Sequence, residues 1–375
     1  MRVDKTKWKS GTIDEYCIIQ LGTRIVRKDV DEGEFPVYGG GGATFTTSTY
    51  NRENAILISR FAISKECTRF VQGRFFLNDS GLTIIPKGDT LLFHYLKWHI
   101  FAINDKIYSL GKGVAQKNLD MKRFPFLLLN IPPIDEQQVI SSELDSIQTM
   151  IDGYNALLED LDALAQSIFF DTFGDPTINE KGWGLKKLCE VCEVTSSKRI
   201  YQSEQTKSGV PFYRISDFAR LIRNEAIFPE LYISHEKYNE LKSKNLVPCK
   251  NDILITSRGT LGLCYVIKGN DCFYFQDGMI TWLKNIKEGL SSTFLSYIFK
   301  TSFLKRQMQK AQNGSTVSYL SISMIKGLDV IIPPLPLQQQ FAERVESIEL
   351  QKELIRKQLT DAEQLMGERM HYYFS

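Results

Sequence analysis

Ile131-Pro132-Pro133-Ile134-Asp135-Glu136-Gln137-Gln138 recurs 201 residues later as Ile332-Pro333-Pro334-Leu335-Pro336-Leu337-Gln338-Gln339, and this pair of stretches decides the fold. Each opens on two prolines, and beyond these eight residues each runs for nearly forty without another. Proline is tolerated in the first turn of a helix, where its missing amide would be unpaired anyway, and is excluded from the interior. Both stretches therefore predict long helices. In the first, Leu144, Ile147, Ile151, Tyr154, Leu158, Leu161, Ala165 and Ile168 follow one another at steps of three and four. In the second, Val345, Ile348, Lys352, Ile355, Leu359, Ala362 and Met366 do the same. That is a heptad seam, interrupted only by Lys352, whose stem is expected to lie along the stripe with its amine lifted to water. Gly174 followed by Pro176 stops the first helix in the expected order. At 1.5 Å per residue each helix is a rod of roughly 58 Å. A stripe this narrow needs a partner, and the two rods are expected to pair antiparallel.

Outward from these helices the chain is a tandem repeat. The segment Trp8-Lys9-Ser10-Gly11-Thr12-Ile13-Asp14-Glu15-Tyr16-Cys17 meets Trp183-Gly184-Leu185-Lys186-Lys187-Leu188-Cys189-Glu190-Val191-Cys192 at a shift of 175, with Trp, aliphatic, Glu and the second Cys in step. Pro36-Val37-Tyr38 meets Pro211-Phe212-Tyr213 at the same shift. Asn54 to Ile58 meets Asn251 to Ile255 at 197, Phe75 to Asp79 meets Phe273 to Asp277 at 198, and Gly113 to Leu119 meets Gly314 to Leu320 at 201. The shift grows between Tyr213 and Asn251, so the second half carries about 22 extra residues there, including a helical-looking Ser234–Leu246. The apolar runs Ile56–Ile58 and Ile253–Ile255 and the Phe75 and Phe273 clusters predict buried strands. Leu91–Asn104 and Thr293–Ala311 read as helices. The expected fold class is α+β: two tandem globular α/β domains, 1–132 and 176–332, and two long antiparallel coiled-coil helices, 133–175 and 333–375, in a pseudo-twofold repeat.

Composition excludes several classes. No secretory leader is visible behind Met1, and no stretch reaches the ~20 apolar residues of a membrane span. Seven scattered cysteines predict free thiols and a cytoplasmic location. Net charge is only +2, but it is unevenly placed. Residues 1–133 carry 19 Lys and Arg against 13 Asp and Glu, and residues 177–331 carry 22 against 14. Residues 134–176 carry ten acids and no base, and residues 332–375 carry five bases against seven acids. Basic domains thus alternate with acidic helices, the local field expected of domains that meet phosphate.

Taken with Phe35-Pro36-Val37-Tyr38-Gly39-Gly40-Gly41-Gly42, Ile56-Leu57-Ile58-Ser59-Arg60, Val210-Pro211-Phe212-Tyr213-Arg214-Ile215 and Asp252 to Gly262, the twice-repeated Pro-Pro-x-x-x-Gln-Gln and its heptad helix resemble the specificity subunit of type I restriction-modification systems. The resemblance covers nearly all of the chain. It implies two target-recognition domains, each reading half of a bipartite site on double-stranded DNA, and helices that fix the gap and dock two methyltransferase (modification) subunits. It also implies restriction (helicase-nuclease) subunits as further partners, a non-catalytic role for this chain, and no cofactor within it; S-adenosylmethionine, ATP and Mg2+ belong to the partners. The runner-up readings are a DNA-binding component of another defence or mobile-element system, and a coiled-coil scaffold that binds no DNA.

DNA contact is expected from basic and aromatic loops, where arginine can read guanine bidentately and lysine neutralises phosphate. In the first domain these are Tyr38, Gly40, Arg60, Lys65, Arg69 and Arg74, with Lys112 and Lys117. In the second they are Lys198, Arg199, Tyr213, Arg214, Arg258 and Thr260, with Arg306, Lys310, Asn313 and Ser315. Subunit docking and spacing fall to the helix stripes, Leu144, Ile147, Ile151, Leu158 and Leu161, and Val345, Ile348, Ile355 and Leu359. Gly39–Gly42 lacks the Gly-Lys-Ser/Thr ending of a nucleotide loop and reads as a turn between strands, with room for a close backbone approach to phosphate. Cys189-x-x-Cys192 has no second ligand pair and reads as packing rather than half a zinc site. Asn130-Ile131-Pro132-Pro133 only echoes a methyltransferase motif. His94 and His99 read as packing residues on an apolar helix. No nucleophile–base pair and no catalytic residue emerges.

Overall fold

The computed structural model describes residues 3–114, 116–225, 227–312 and 319–375. The chain forms two compact units: Met1–Ala156 together with Ile355–Ser375, and Leu157–Leu354. Both long helices are continuous, Ile134–Phe173 and Leu335–Phe374, so each starts in one unit and ends in the other.

In the first unit a six-stranded sheet runs in the order Cys17–Leu21, Gly81–Pro86, Arg52–Ser59, Thr68–Leu77, Phe35–Tyr38, Ala43–Thr47. All neighbours are antiparallel except Phe35–Tyr38, which lies parallel to Thr68–Leu77 through Val37↔Phe76. In the second unit Glu193–Ser196, Ile280–Lys284, Ile253–Thr256 and Cys264–Val266 form the equivalent antiparallel sheet. Val210–Tyr213 again lies parallel to a strand, Tyr274–Phe275, through Phe212↔Tyr274. The single strand Thr68–Leu77 of the first unit is thus matched by two short strands of the second. The expected helix at Leu91–Asn104 spans Phe93–Ala102. Thr293–Ala311 is instead two helices, Ser292–Ile298 and Ser302–Ala311. Thr301 turns its hydroxyl back onto the Ile298 carbonyl, 2.6 Å away, and ends the first of them. The insertion contains the expected helix, His235–Ser243 capped by Ser234, and an unexpected one, Ile215–Arg223.

The repeated motifs do the same structural work in both units. Lys9–Thr12 pairs with Leu128–Ile131 in the register Lys9↔Ile131, and Gly184–Lys187 pairs with Asp329–Ile332 in the register Gly184↔Ile332. These strands deliver the chain to the proline pair. The first glutamine of each Gln-Gln is fully buried. Gln137 accepts from the Leu92 amide (2.8 Å) and donates to the Thr90 (2.9 Å) and Pro132 (2.8 Å) carbonyls. Gln338 accepts from the Ser291 amide (2.9 Å) and donates to the Gly289 (3.0 Å) and Pro333 (2.7 Å) carbonyls. Each amide thus ties the start of a long helix to a domain loop and leaves no polar atom of its own unpaired.

The helix ends close the cores. Phe169 and Phe173 pack on Phe294 and Phe341 in the second unit, with Phe173 4.8 Å from Phe294. Phe374, 201 positions after Phe173, packs on His99 (5.0 Å) and Tyr95 (5.6 Å) in the first. Gly174 takes φ +74° and its amide meets the Phe170 carbonyl at 2.7 Å, the left-handed stop that a side chain would resist. Within each unit the helix segments run antiparallel. Glu143 pairs with Arg369 in the first, and Asp162 with Lys352 (2.7 Å) in the second. Leu144, Ile147, Val345 and Ile348 of the stripe are buried, and Ile151, Leu158, Leu161, Ile355 and Leu359 half-buried.

Two expectations are corrected. The Lys352 amine is not lifted to water: the residue is 5% exposed, and its amine is paired with Asp162 and Glu349. His94 is not a packing residue. It stands outside the core with its Nδ1 3.4 Å from Asp145, while His99, five residues on, is the buried one.

Candidate nucleic-acid interface

In the first unit four loops converge. The Gly39–Gly42 run is the turn joining Phe35–Tyr38 to Ala43–Thr47. The Gly40 carbonyl accepts from the Ser59 hydroxyl and from Arg69 Nη2 (3.2 Å), and its amide donates to Ser80 Oγ (3.2 Å). A Cβ at Gly40 would sit 2.8 Å from the Phe61 carbonyl, so only glycine fits this approach. Arg60 follows its strand directly. Its amide meets the Ser80 carbonyl (2.8 Å), Nη1 meets the Asp79 carbonyl (3.3 Å), and the guanidinium lies 4.7 Å from the Phe61 ring. The hairpin of Gly111–Lys112 with Asn118–Leu119 docks on the same loop. The amides of Leu119, Ile63 and Ala62 bond to Arg60 O (2.8 Å), Lys117 O (2.9 Å) and Asn118 Oδ1 (3.2 Å). Lys117 rests its amine 4.5 Å from the Tyr108 ring.

Tyr38, Gly40, Arg60, Arg69, Lys112 and Lys117 are therefore gathered by these loops, Tyr38 through its carbonyl, which receives the Asn78 amide at 2.9 Å. Lys112 pairs with Asp120 at 2.6 Å. Arg74 stands elsewhere, paired with Glu53 (3.4 Å) and over the Tyr50 ring (4.7 Å). Lys65 is exposed on a turn whose carbonyl is held by Asn104.

The second unit repeats the device. Arg258 follows Ile253–Thr256, is exposed, and stacks 5.1 Å from the Tyr319 ring, with which its backbone also bridges. Ser257 below it is buried, its amide on the Met279 carbonyl (2.9 Å) and its hydroxyl 2.7 Å from that of Thr281. Thr260 offers its carbonyl to Thr256 Oγ1 at 2.5 Å. A Cβ on Gly262 would meet the Met308 methyl at 2.7 Å, so the helix bearing exposed Arg306 and Lys310 lies against this loop. Lys198 and Arg199 join through the neighbouring turn: the Lys198 amide binds Tyr274 OH (2.8 Å), and Arg199 Nε pairs with Asp277 (2.9 Å). The Tyr213 carbonyl takes the Gln276 amide (3.0 Å), and its ring stacks on Phe273 (4.8 Å). Arg214 is committed to Glu230 (2.8 Å) and Asp217 (3.5 Å), and the Glu230 bond first of all raises its pKa. Asn313 and Ser315 lie outside the described residues.

Among the described residues neither Arg60 nor Arg258 makes an ion pair; each is splayed on an aromatic ring in the loop after the same strand. A guanidinium held this way keeps its planar donor fork available for a base edge or a phosphate. The supporting rings Phe61 and Tyr319 went unnoticed in sequence, although Phe61 adjoins Arg60 and Tyr319 lies in the repeated block before Leu320. Cys17 and Cys192 serve packing, buried at equivalent places with burial raising each to about 12, whereas Cys189, expected to pack, is exposed. Among the described residues no helix is long and apolar enough to cross a membrane, and no three His, Cys, Asp or Glu gather to hold a metal.

The type I restriction modification DNA specificity domain matches residues 5–162 and again residues 180–364. This chain belongs to that family. A Haemophilus influenzae protein named as a type I restriction enzyme specificity subunit is 24% identical, over 98% of this chain and 94% of its own. The EcoKI specificity subunit of Escherichia coli is also 24% identical, over 72% of this chain but only 60% of its own length. In fold the chain is similar to the S subunit of a type I restriction-modification system from M. genitalium, with a TM-score of 0.64 at 16% identity over 100% of this chain and 98% of that one. The chain is thus a DNA specificity protein built from two copies of the specificity domain.

Proposed function

We propose that this chain is the non-catalytic, cytoplasmic subunit that chooses the DNA sequence for a type I methyltransferase and restriction enzyme, each unit reading one half of a split site. The observation that carries this is the matched pair Arg60 and Arg258, without an ion pair among the described residues and presented on aromatic rings at the same point of both repeats. The loops around them add lysines for phosphate and polar groups for base edges. The long helices set the gap and dock two modification subunits, with restriction subunits joining the assembly. Support for docking comes from a second, exposed apolar set on the helices: Met150, Leu157, Leu164, Leu350, Leu354 and Leu365. S-adenosylmethionine, ATP and Mg2+ would be held by the partners.

Methylation mapping of a genome carrying this chain with its modification subunits tests the reading. The expected outcome is one split motif, with Arg60→Ala relaxing one half and Arg258→Ala the other, each by about 1–3 kcal/mol of discrimination. Methylation scattered without a split motif, or arginine variants that leave both halves unchanged, would refute it.

A further inference from the structure

Lys352 is where the stripe of the second long helix abandons apolar chemistry, and the fold nevertheless buries it. Its side chain is 6% exposed, in line with Ile348 and Ile355. The amine lies 2.7 Å from Asp162 on the first long helix and 2.9 Å from Glu349 on its own. Lys300 of the domain sits beside this group, its amine 3.9 Å from the Tyr297 ring; burial lowers its pKa, with Asp162 and Glu349 acting against that and Lys352 with it. Two cations and two carboxylates thus meet on a face otherwise made of valine and isoleucine, all within the unit Leu157–Leu354.

The pair gains little stability, because stripping water from the Lys352 amine offsets much of its attraction to the exposed Asp162 carboxylate. It is less tolerant of misplacement, since a slide takes Asp162 away and leaves the buried amine only Glu349, which travels with it on the same helix. Apolar stripe positions do not discriminate in this way: slid by one heptad, they still meet apolar residues. The same slide would set Lys352 opposite Asn155 or Phe169 instead of Asp162, and neither is a carboxylate. The repeat carries no second copy of the device, because Ile151 stands 201 positions earlier, where the counterpart of Lys352 belongs.

We propose that the Lys352–Asp162 pair is the register key of the two helices: Lys352 is a positioning residue that selects one axial alignment and thereby one gap between half-sites. The gap consequence rests on the reading given under Proposed function; the selection of register does not. A polar residue at one seam position is a known way for helices to specify alignment at some loss of stability.

The test uses the full chain with its modification subunits, as wild type, as Lys352→Arg, and as the double variant Lys352→Met/Asp162→Met. Melting of the full chain and genome-wide methylation are both read. The double variant is expected to melt at the wild-type temperature or about 2–4 °C above it. It should methylate the unchanged half-sites at the original gap and at a gap altered by about three base pairs, the ~10 Å of one heptad. Lys352→Arg should keep the single gap. A double variant confined to the original gap, or one that melts well below wild type or fails to fold, overturns the proposal, since the pair would then be stabilising rather than selecting. Should the wild type methylate no split site, the DNA reading itself fails. The melting comparison, which needs no DNA, then decides on the key alone, in its favour if the double variant matches or exceeds the wild type and against it otherwise.

Discussion

Replacing Gln137 by alanine isolates what the Pro-Pro-x-x-x-Gln-Gln motif is for. The side chain is fully buried and makes three hydrogen bonds, one accepted from the Leu92 amide and two donated to the Thr90 and Pro132 carbonyls. Truncation orphans the Leu92 N–H and removes a donor from the buried Pro132 carbonyl, while Thr90 is exposed and can turn to water. An orphaned buried group costs about 1–3 kcal/mol, so the variant should lose about 2–4 kcal/mol. For a unit of this size that is roughly 5–12 °C in melting temperature. Gln137→Glu should be worse, since a carboxylate keeps the bond from Leu92 but faces two carbonyls it cannot donate to. Gln138, next in the chain and exposed, is the control, and Gln138→Ala should stay within about 0.5 kcal/mol. Calorimetry on the full chain, with hydrogen exchange to localise the loss to Met1–Ala156, reads all three. Gln338→Ala should reproduce the loss in Leu157–Leu354, and the two losses should add. A Gln137→Ala protein melting within 2 °C of wild type, or equal losses from Gln137→Ala and Gln138→Ala, would refute the clamp.

Two further outcomes follow from the first unit. His99 is buried, accepts the Asn130 amide on Nε2 at 2.8 Å, and is held neutral, burial lowering its pKa from 6.5 to about 4. The unfolded chain takes up this proton first, so the stability is fully present above about pH 6.5 and about 3 kcal/mol of it is lost by pH 4; His99→Gln should flatten the melting-temperature profile over that window, and a profile as steep as wild type would contradict it. Deleting Tyr373–Ser375 removes two rings buried among Tyr95 and His99. It should cost at least the ~3–5 kcal/mol of one Phe→Ala change, with hydrogen-exchange protection lost in Phe93–Ala102 and Leu128–Ile131 and kept in Ile253–Thr256.

The repeat and both long helices were legible because they depend on local rules: proline placement, heptad spacing and a glycine stop act within a few residues. The stripe was legible for the same reason, except that the burial of Lys352 was not. The sheet order was not, because the parallel pairing of Val37 with Phe76 joins segments forty residues apart that no local pattern links. The break at Phe299–Thr301 was missed because a threonine hydroxyl can end a helix as well as ride on one. For the candidate site, residue types were readable and neighbours were not. Arg60 and Arg258 were picked for their place after equivalent strands, but their availability depends on Phe61 and Tyr319 beneath them. Arg199 and Arg214 were candidates by residue type alone, and the fold commits both to carboxylates.

Lys352 and the two glutamines expose a common logic that hydrophobic patterning hides. Apolar stripe residues supply most of the burial, yet they are interchangeable under a heptad slide or an exchange between repeats. The polar residues buried among them are not interchangeable. Gln137 and Gln338 each satisfy three specific backbone groups, and Lys352 satisfies two specific carboxylates. Another alignment separates the buried Lys352 amine from Asp162 and the buried glutamine amides from their backbone partners, a penalty paid only by wrong arrangements. For a protein whose proposed task is to hold two reading units at one separation, accuracy of alignment matters more than total stability. The few polar residues inside the seam and at its ends are therefore where altered spacing should first arise, and the loops around Arg60 and Arg258 are where altered sequence choice should.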